Sequence, residues 1–155
     1  MSYTQKINSL NIKIPASNPA VANYVPFKIV GNLLYIAGQT ARENGTMKYT
    51  GKAGIDYDIQ TGIDASRLCG LNILSQISSA LNGDFDRIVS CVSLTVFVQS
   101  ADNFYDQAII ANGVSDLMTD IFGLNGKATR VAVGVNTLPS NSAVEVAGIF
   151  ETTSV

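Results

Sequence analysis

Two charged residues, Arg130 and Glu145, each stand alone on a strand face otherwise made of small side chains. In ATRVAVGV the side chains alternate, so Arg130 shares a face with Ala128, Ala132 and Gly134, while Val131, Val133 and Val135 share the other. In AVEVAGIF, Glu145 stands with Ala143 and Ala147, and Val144, Val146 and Phe150 point the opposite way. A guanidinium above alanines and a glycine has open space beside it, and its planar fork of N–H donors matches the two oxygens of a carboxylate. A glutamate beside it can orient water or carry a proton. If both valine faces pack on helices, Arg130 and Glu145 share the sheet's other face and flank a shallow polar pocket. On pattern alone, an ion pair on a solvated face, adding little stability, is the commoner outcome.

The rest of the composition narrows the chemistry. With no histidine, the chain has no Ser-His-Asp or Cys-His machinery and no H-E-x-x-H zinc site. Cys69, on an expected helix, and Cys91, on an expected strand, read as small buried apolar side chains, and two cysteines cannot supply a zinc tetrad. Catalysis falls to carboxylates, Arg, Lys, Tyr, backbone groups or ordered water, with no metal and no cofactor expected. The net charge of −2 and ten scattered basic residues provide no patch for nucleic acid. MSYTQKINSLNIKIP lacks a signal-peptide pattern and no run approaches a membrane span, so the expectation is a soluble, cytoplasmic protein without membrane contact. Only 14% of residues are charged while 46% are hydrophobic, which leaves apolar surface best covered between subunits.

Residues 1–155 read as a single domain with no repeat or linker. A first strand is expected before Pro15, and PASNPAVANYVP, with three of the four prolines, crosses the surface as an irregular segment. Gly31-Asn32 between apolar runs signals a hairpin of strands 27–30 and 33–38. ARENGTMKYTGKAGIDYD reads as a long loop. From about Thr61 to Asn82-Gly83, apolar residues recur at helical spacing, and 88–98 is a β-branched strand. Asp102 is the expected N-cap of a second helix carrying Phe104, Ala108, Leu117, Met118, Ile121 and Phe122 inward, broken or kinked at Asn112-Gly113 and ended by Gly123. Strands 129–135 and 143–150 close the chain. The order β, ββ, α, β, α, ββ predicts an α+β fold, a sheet of six strands with two helices on one face.

GNLLYIAGQ, followed far downstream by RVAVGVNTLP and AVEV, resembles the RidA (YjgF) family, also known as endoribonuclease L-PSP, from about Tyr24 to Glu151. The resemblance implies a chorismate-mutase-like fold of the bacillus type, with a mixed sheet, and a homotrimer holding three ligand clefts between subunits. It implies hydrolytic deamination of 2-imino or enamine acids, such as 2-aminoacrylate, to 2-keto acids and ammonia. In that correspondence Arg130 holds the substrate carboxylate and Glu145 positions or activates water. Tyr24 is the cleft tyrosine and Gly38 lines the pocket with its backbone. Asn112 corresponds to the cleft asparagine when the gap between Phe104 and Arg130, longer here than is typical, is placed to favour it. Imine-hydrolysing members usually carry serine and cysteine where this chain has Ala37 and Ala132. The pattern is that of a divergent subfamily.

An imine is already electrophilic, so positioning a water and shuttling a proton can suffice without histidine or metal. The leading expectation is therefore an imine/enamine deaminase acting on a small 2-imino acid. A trimer that binds small carboxylates such as 2-keto acids without turnover is the alternative. Ribonuclease activity rests on the family's older label alone and is opposed by the acidic balance. A purely structural trimer would need a filled cleft, against the alanines at 132, 143 and 147.

Overall fold

Residues 1–154 are described in a computed structural model. The chain opens with helix α1 (Tyr3–Ser9), not the expected strand. The cause is local: the Ser2 side chain accepts from the Gln5 N–H while Gln5 reaches back to Ser2 N, a reciprocal cap that nucleates the turn. Tyr3 then stacks edge-on against Phe122, ring centroids 4.9 Å apart, and fixes α1 to the body.

Strands β1 (Phe27–Val30) and β2 (Leu33–Thr40) form the expected hairpin, with Gly31 in the left-handed region at φ 62°. The stretch expected as a loop contains a second hairpin, β3 (Arg42–Glu43) and β4 (Thr46–Met47), turned by Asn44 and Gly45, both at positive φ. Helix α2 (Ile59–Ala80) starts at Asp58, whose side chain accepts from Thr61 N at 2.9 Å. β5 (Ile88–Gln99) follows. Helix α3 (Gln107–Phe122) begins after Asp106, four residues later than the expected Asp102 and without a side-chain cap hydrogen bond, and ends at Gly123. Phe104 packs on the core from outside α3 and Ala108 is exposed, whereas Leu117, Met118, Ile121 and Phe122 are buried as expected. The chain ends in β6 (Thr129–Val135) and β7 (Val144–Thr152).

Over the described residues the fold is α+β with three α-helices and a mixed sheet of five strands, not six, in the order β1-β2-β7-β5-β6. β5 and β6 run parallel and the other pairs antiparallel; β3 and β4 pair separately. Both long helices cover one sheet face, where Leu34, Ile36, Leu94, Val96, Val98, Val144, Val146 and Phe150 are buried. On the other face Tyr35, Val131 and Val133 are exposed. Burying the first set supplies the main driving force for joining the layers.

Asn112-Gly113 neither breaks nor kinks α3. A Cβ on Gly113 would strike the Ile63 carbonyl oxygen of α2, so this glycine is where the two helix backbones meet. Cys69 and Cys91 are free and buried. Burial pushes the Cys91 thiol up to about 12 and holds that of Cys69 well above its ordinary value, which leaves neither as a thiolate nucleophile.

Candidate functional site

Between Ile36 and Gln39 the pairing of β2 with β7 slips, and the bulge leaves Ala37 and Gly38 outside the ladder. Glu145, on β7, lays its carboxyl against this bulge. A Cβ on Gly38 would overlap the Glu145 carboxyl oxygen, so glycine is required for the carboxylate to lie there. Its carboxyl accepts no hydrogen bond from the described residues, and burial holds its pKa above the usual glutamate value.

This carboxyl faces a cavity of about 630 Å³ walled by Tyr24, Pro26, Ala37, Gly38, Arg42 and Pro139 among others. The proline-rich segment forms one wall and is tied down from α2. Ser75 Oγ donates to Pro15 O at 2.8 Å and Gln76 Nε2 to Asn18 O at 2.8 Å, while Ala37 N donates to Pro26 O at 2.9 Å. Tyr24 stands at the rim, half-exposed. The opposite wall includes Ser140, which with Asn141 holds a left-handed backbone at φ 53° and 58°.

Arg130 lies elsewhere. Its guanidinium folds over α3, where Nη1 donates to Asn112 Oδ1 at 2.8 Å and Ser115 Oγ at 3.1 Å, and Nη2 to Ala108 O at 3.1 Å. Three of its five N–H donors are thereby used, leaving two for a ligand. The head is half-buried and anchored, yet outside the cavity that holds Glu145.

The expected sharing of one face by Arg130 and Glu145 is corrected by the register. Leu94 pairs with Arg130 and with Gly148, both on the helix face, whereas Phe97 pairs with Val133 and Glu145 on the open face. The valine faces of β6 and β7 therefore look in opposite directions. On β7 the valines enter the core. On β6, at the sheet edge, α3 covers Arg130 and Ala132, and Val131 and Val133 are left outside.

The seven residues singled out from sequence thus fall into two groups within one chain. Tyr24, Ala37, Gly38 and Glu145 surround the cavity, while Asn112, Arg130 and Ala132 lie along α3 and β6. Sequence reasoning missed Arg42 in the cavity wall and the buried polar row Asn72, Ser75 and Gln76 behind it. That row had a signal, polar residues at three- and four-residue steps inside an otherwise apolar helix face. Among the described residues, no cluster of three or more His, Cys, Asp or Glu side chains could hold a metal ion. Among the described residues, no helix is long and apolar enough to cross a membrane.

Comparison with known proteins agrees with this architecture. A family model described as "YjgF/chorismate_mutase-like, putative endoribonuclease" matches residues 5–151. Protein TCP17 of Trypanosoma cruzi is 39% identical over 146 residues, covering 94% of this chain and 91% of its own. The crystal structure of Atu1372 from Agrobacterium tumefaciens, a protein of unknown function, is 40% identical and superimposes with a TM-score of 0.89 over 97% of this chain and 93% of that one. A structure from Shewanella oneidensis MR-1, described as "a putative endoribonuclease", is 28% identical with a TM-score of 0.93 over 97% and 99% of the two chains.

Proposed function

Since the chain belongs to the YjgF/chorismate mutase-like family, we propose that it hydrolyses 2-imino acids to 2-keto acids and ammonia in a cleft completed by a neighbouring copy, the assembly being a homotrimer. The observation that carries this reading is Glu145: a carboxyl pressed against Gly38, without a hydrogen-bond donor, its pKa raised by burial, facing a cavity. Such a group takes a proton more readily than an exposed glutamate, which suits a general base.

Glu145 accepts a proton from water as the oxygen bonds to the imine carbon and the C=N π electrons move to nitrogen. The resulting carbinolamine regains a proton on nitrogen from the Glu145 carboxylic acid. The Glu145 carboxylate then takes the hydroxyl proton and passes it to the amino nitrogen, and the C–N bond breaks as the C=O π bond forms, releasing ammonia and the keto acid. Arg130, anchored by Asn112 and Ser115, offers its two remaining N–H donors to the substrate carboxylate. Because Arg130 and Glu145 lie on opposite faces of one sheet, this chemistry requires Arg130 of one protomer to meet Glu145 of the next. The exposed Val131, Val133 and Tyr35 give the open sheet face an apolar character suited to burial between copies.

The test supplies 2-aminoacrylate or 2-iminobutanoate generated in situ and follows ammonia or keto-acid release. The wild type is expected to exceed Arg130→Ala clearly; equal rates remove the enzyme claim. Ala37 and Ala132, where the resemblance puts serine and cysteine, favour a second reading, a binder of small carboxylates without turnover. Saturable 2-keto acid binding that is lost in Arg130→Ala, with no imine hydrolysis, selects it. RNA cleavage that survives rigorous purification and disappears with a site substitution would instead favour the nuclease named for the family.

A further inference from the structure

We infer that Arg42 is a specificity residue that reads a second anionic group on the ligand, so that this site prefers dicarboxylic 2-imino and 2-keto acids. The inference rests on the preceding reading for the position of the first carboxylate, at Arg130. Arg42 belongs to the wall of the cavity that contains Glu145, and it follows by two residues Thr40, the direct partner of Glu145 across the β2–β7 ladder. Among the described residues the one ion pair is Lys48–Glu43 at 3.1 Å, so Arg42 and Glu145 are two opposite charges in one cavity that do not neutralise each other.

Arg42 is also held in place. Its Nη1 donates to Gly45 O at 2.9 Å, which ties the guanidinium to the β3–β4 turn. Behind it, Asn72, 1% exposed, donates to the carbonyls of Thr40 at 3.0 Å and Arg42 at 2.8 Å, fixing the corner from which the side chain leaves. One of five N–H donors is used and four remain. A planar fork with unused donors, fixed at both ends and facing a cavity, is suited to a carboxylate. The cavity, about 630 Å³, falls in the range that encloses ligands larger than a three- or four-carbon acid. With the first carboxylate at Arg130 and the reacting carbon near Glu145, Arg42 is left for the far end of the molecule.

The experiment compares 2-iminoglutarate with 2-iminobutanoate as substrates, both generated in situ, and 2-ketoglutarate with 2-ketobutyrate as ligands in calorimetry, for wild type, Arg42→Met and Arg42→Lys. The wild type should favour the diacid in both measurements. In Arg42→Met the diacid-to-monoacid ratio should fall about 10- to 100-fold, the scale of lost charge-assisted bonds, with Arg42→Lys between. A wild type without diacid preference, or variants that lower both ligands equally, overturns the inference. Absence of turnover together with a diacid binding preference that Arg42→Met abolishes removes the deaminase reading and keeps the role of Arg42. Turnover without diacid preference does the reverse.

Discussion

Glu145 is the residue at which stability and chemistry oppose each other. Its folded-state pKa is raised by burial, so the folded protein binds the proton more tightly than the unfolded chain does. The stabilising effect of the protonated form is complete below the unfolded pKa and is lost as pH rises through the folded one. Glu145→Gln removes the charge that burial disfavours. At pH 8 its melting temperature should therefore exceed that of the wild type, while its rate of imine hydrolysis falls about 10²- to 10⁴-fold. A melting temperature equal or lower at that pH would contradict the account of burial. The wild-type rate should decline on the acid side at a pH above the ordinary glutamate value. Arg130 offers a different contrast: Arg130→Lys keeps the charge but cannot reproduce the contacts to Asn112, Ser115 and Ala108. We expect kcat/KM to fall about 10- to 100-fold, mainly through KM, in steady-state assays.

At the scale of elements, the α2–α3 crossing depends on Gly113 lying against the Ile63 carbonyl. Gly113→Ala forces the helices apart and should lower unfolding stability by about 2–3 kcal/mol in urea, despite alanine's better helix propensity. A variant as stable as wild type would mean the helices can separate freely. The same glycine shows what sequence alone could and could not convey. Asn112-Gly113 reads as a break or kink because a glycine needed for backbone freedom and one needed for close approach look identical in a chain. Local pattern marked α2 by helical spacing, β5 by its β-branched residues and the β1–β2 hairpin by Gly31-Asn32 between apolar runs. It could not say which face of β6 meets a helix, since that depends on β6 sitting at the sheet edge beneath α3, and small residues such as Ala132 leave room for α3. The Asn44-Gly45 turn was readable in principle, but strands of two residues carry no alternation to notice. The N-terminal helix was hidden because a seven-residue element relies on its Ser2–Gln5 cap, not on an apolar stripe.

At the scale of the molecule, one sheet keeps its two candidate groups apart, and the proposed chemistry needs a second copy to bring them together. That requirement is separable from the chemistry by mixing inactive proteins. Arg130→Ala retains Glu145, and Glu145→Gln retains Arg130. If a cleft takes Arg130 from one protomer and Glu145 from the next, trimers reassembled from an equal mixture contain about one quarter of clefts with both groups intact, and activity should return to about that fraction of wild type. If both groups came from the same protomer, no mixture would recover anything. Adding Val133→Asp to both proteins supplies the control, because a charge on the open sheet face, where Val133 is 39% exposed, should disfavour its burial between copies. Light scattering should then show smaller particles and the mixture should stay inactive; recovery in a monomeric mixture would mean that assembly plays no part in the site.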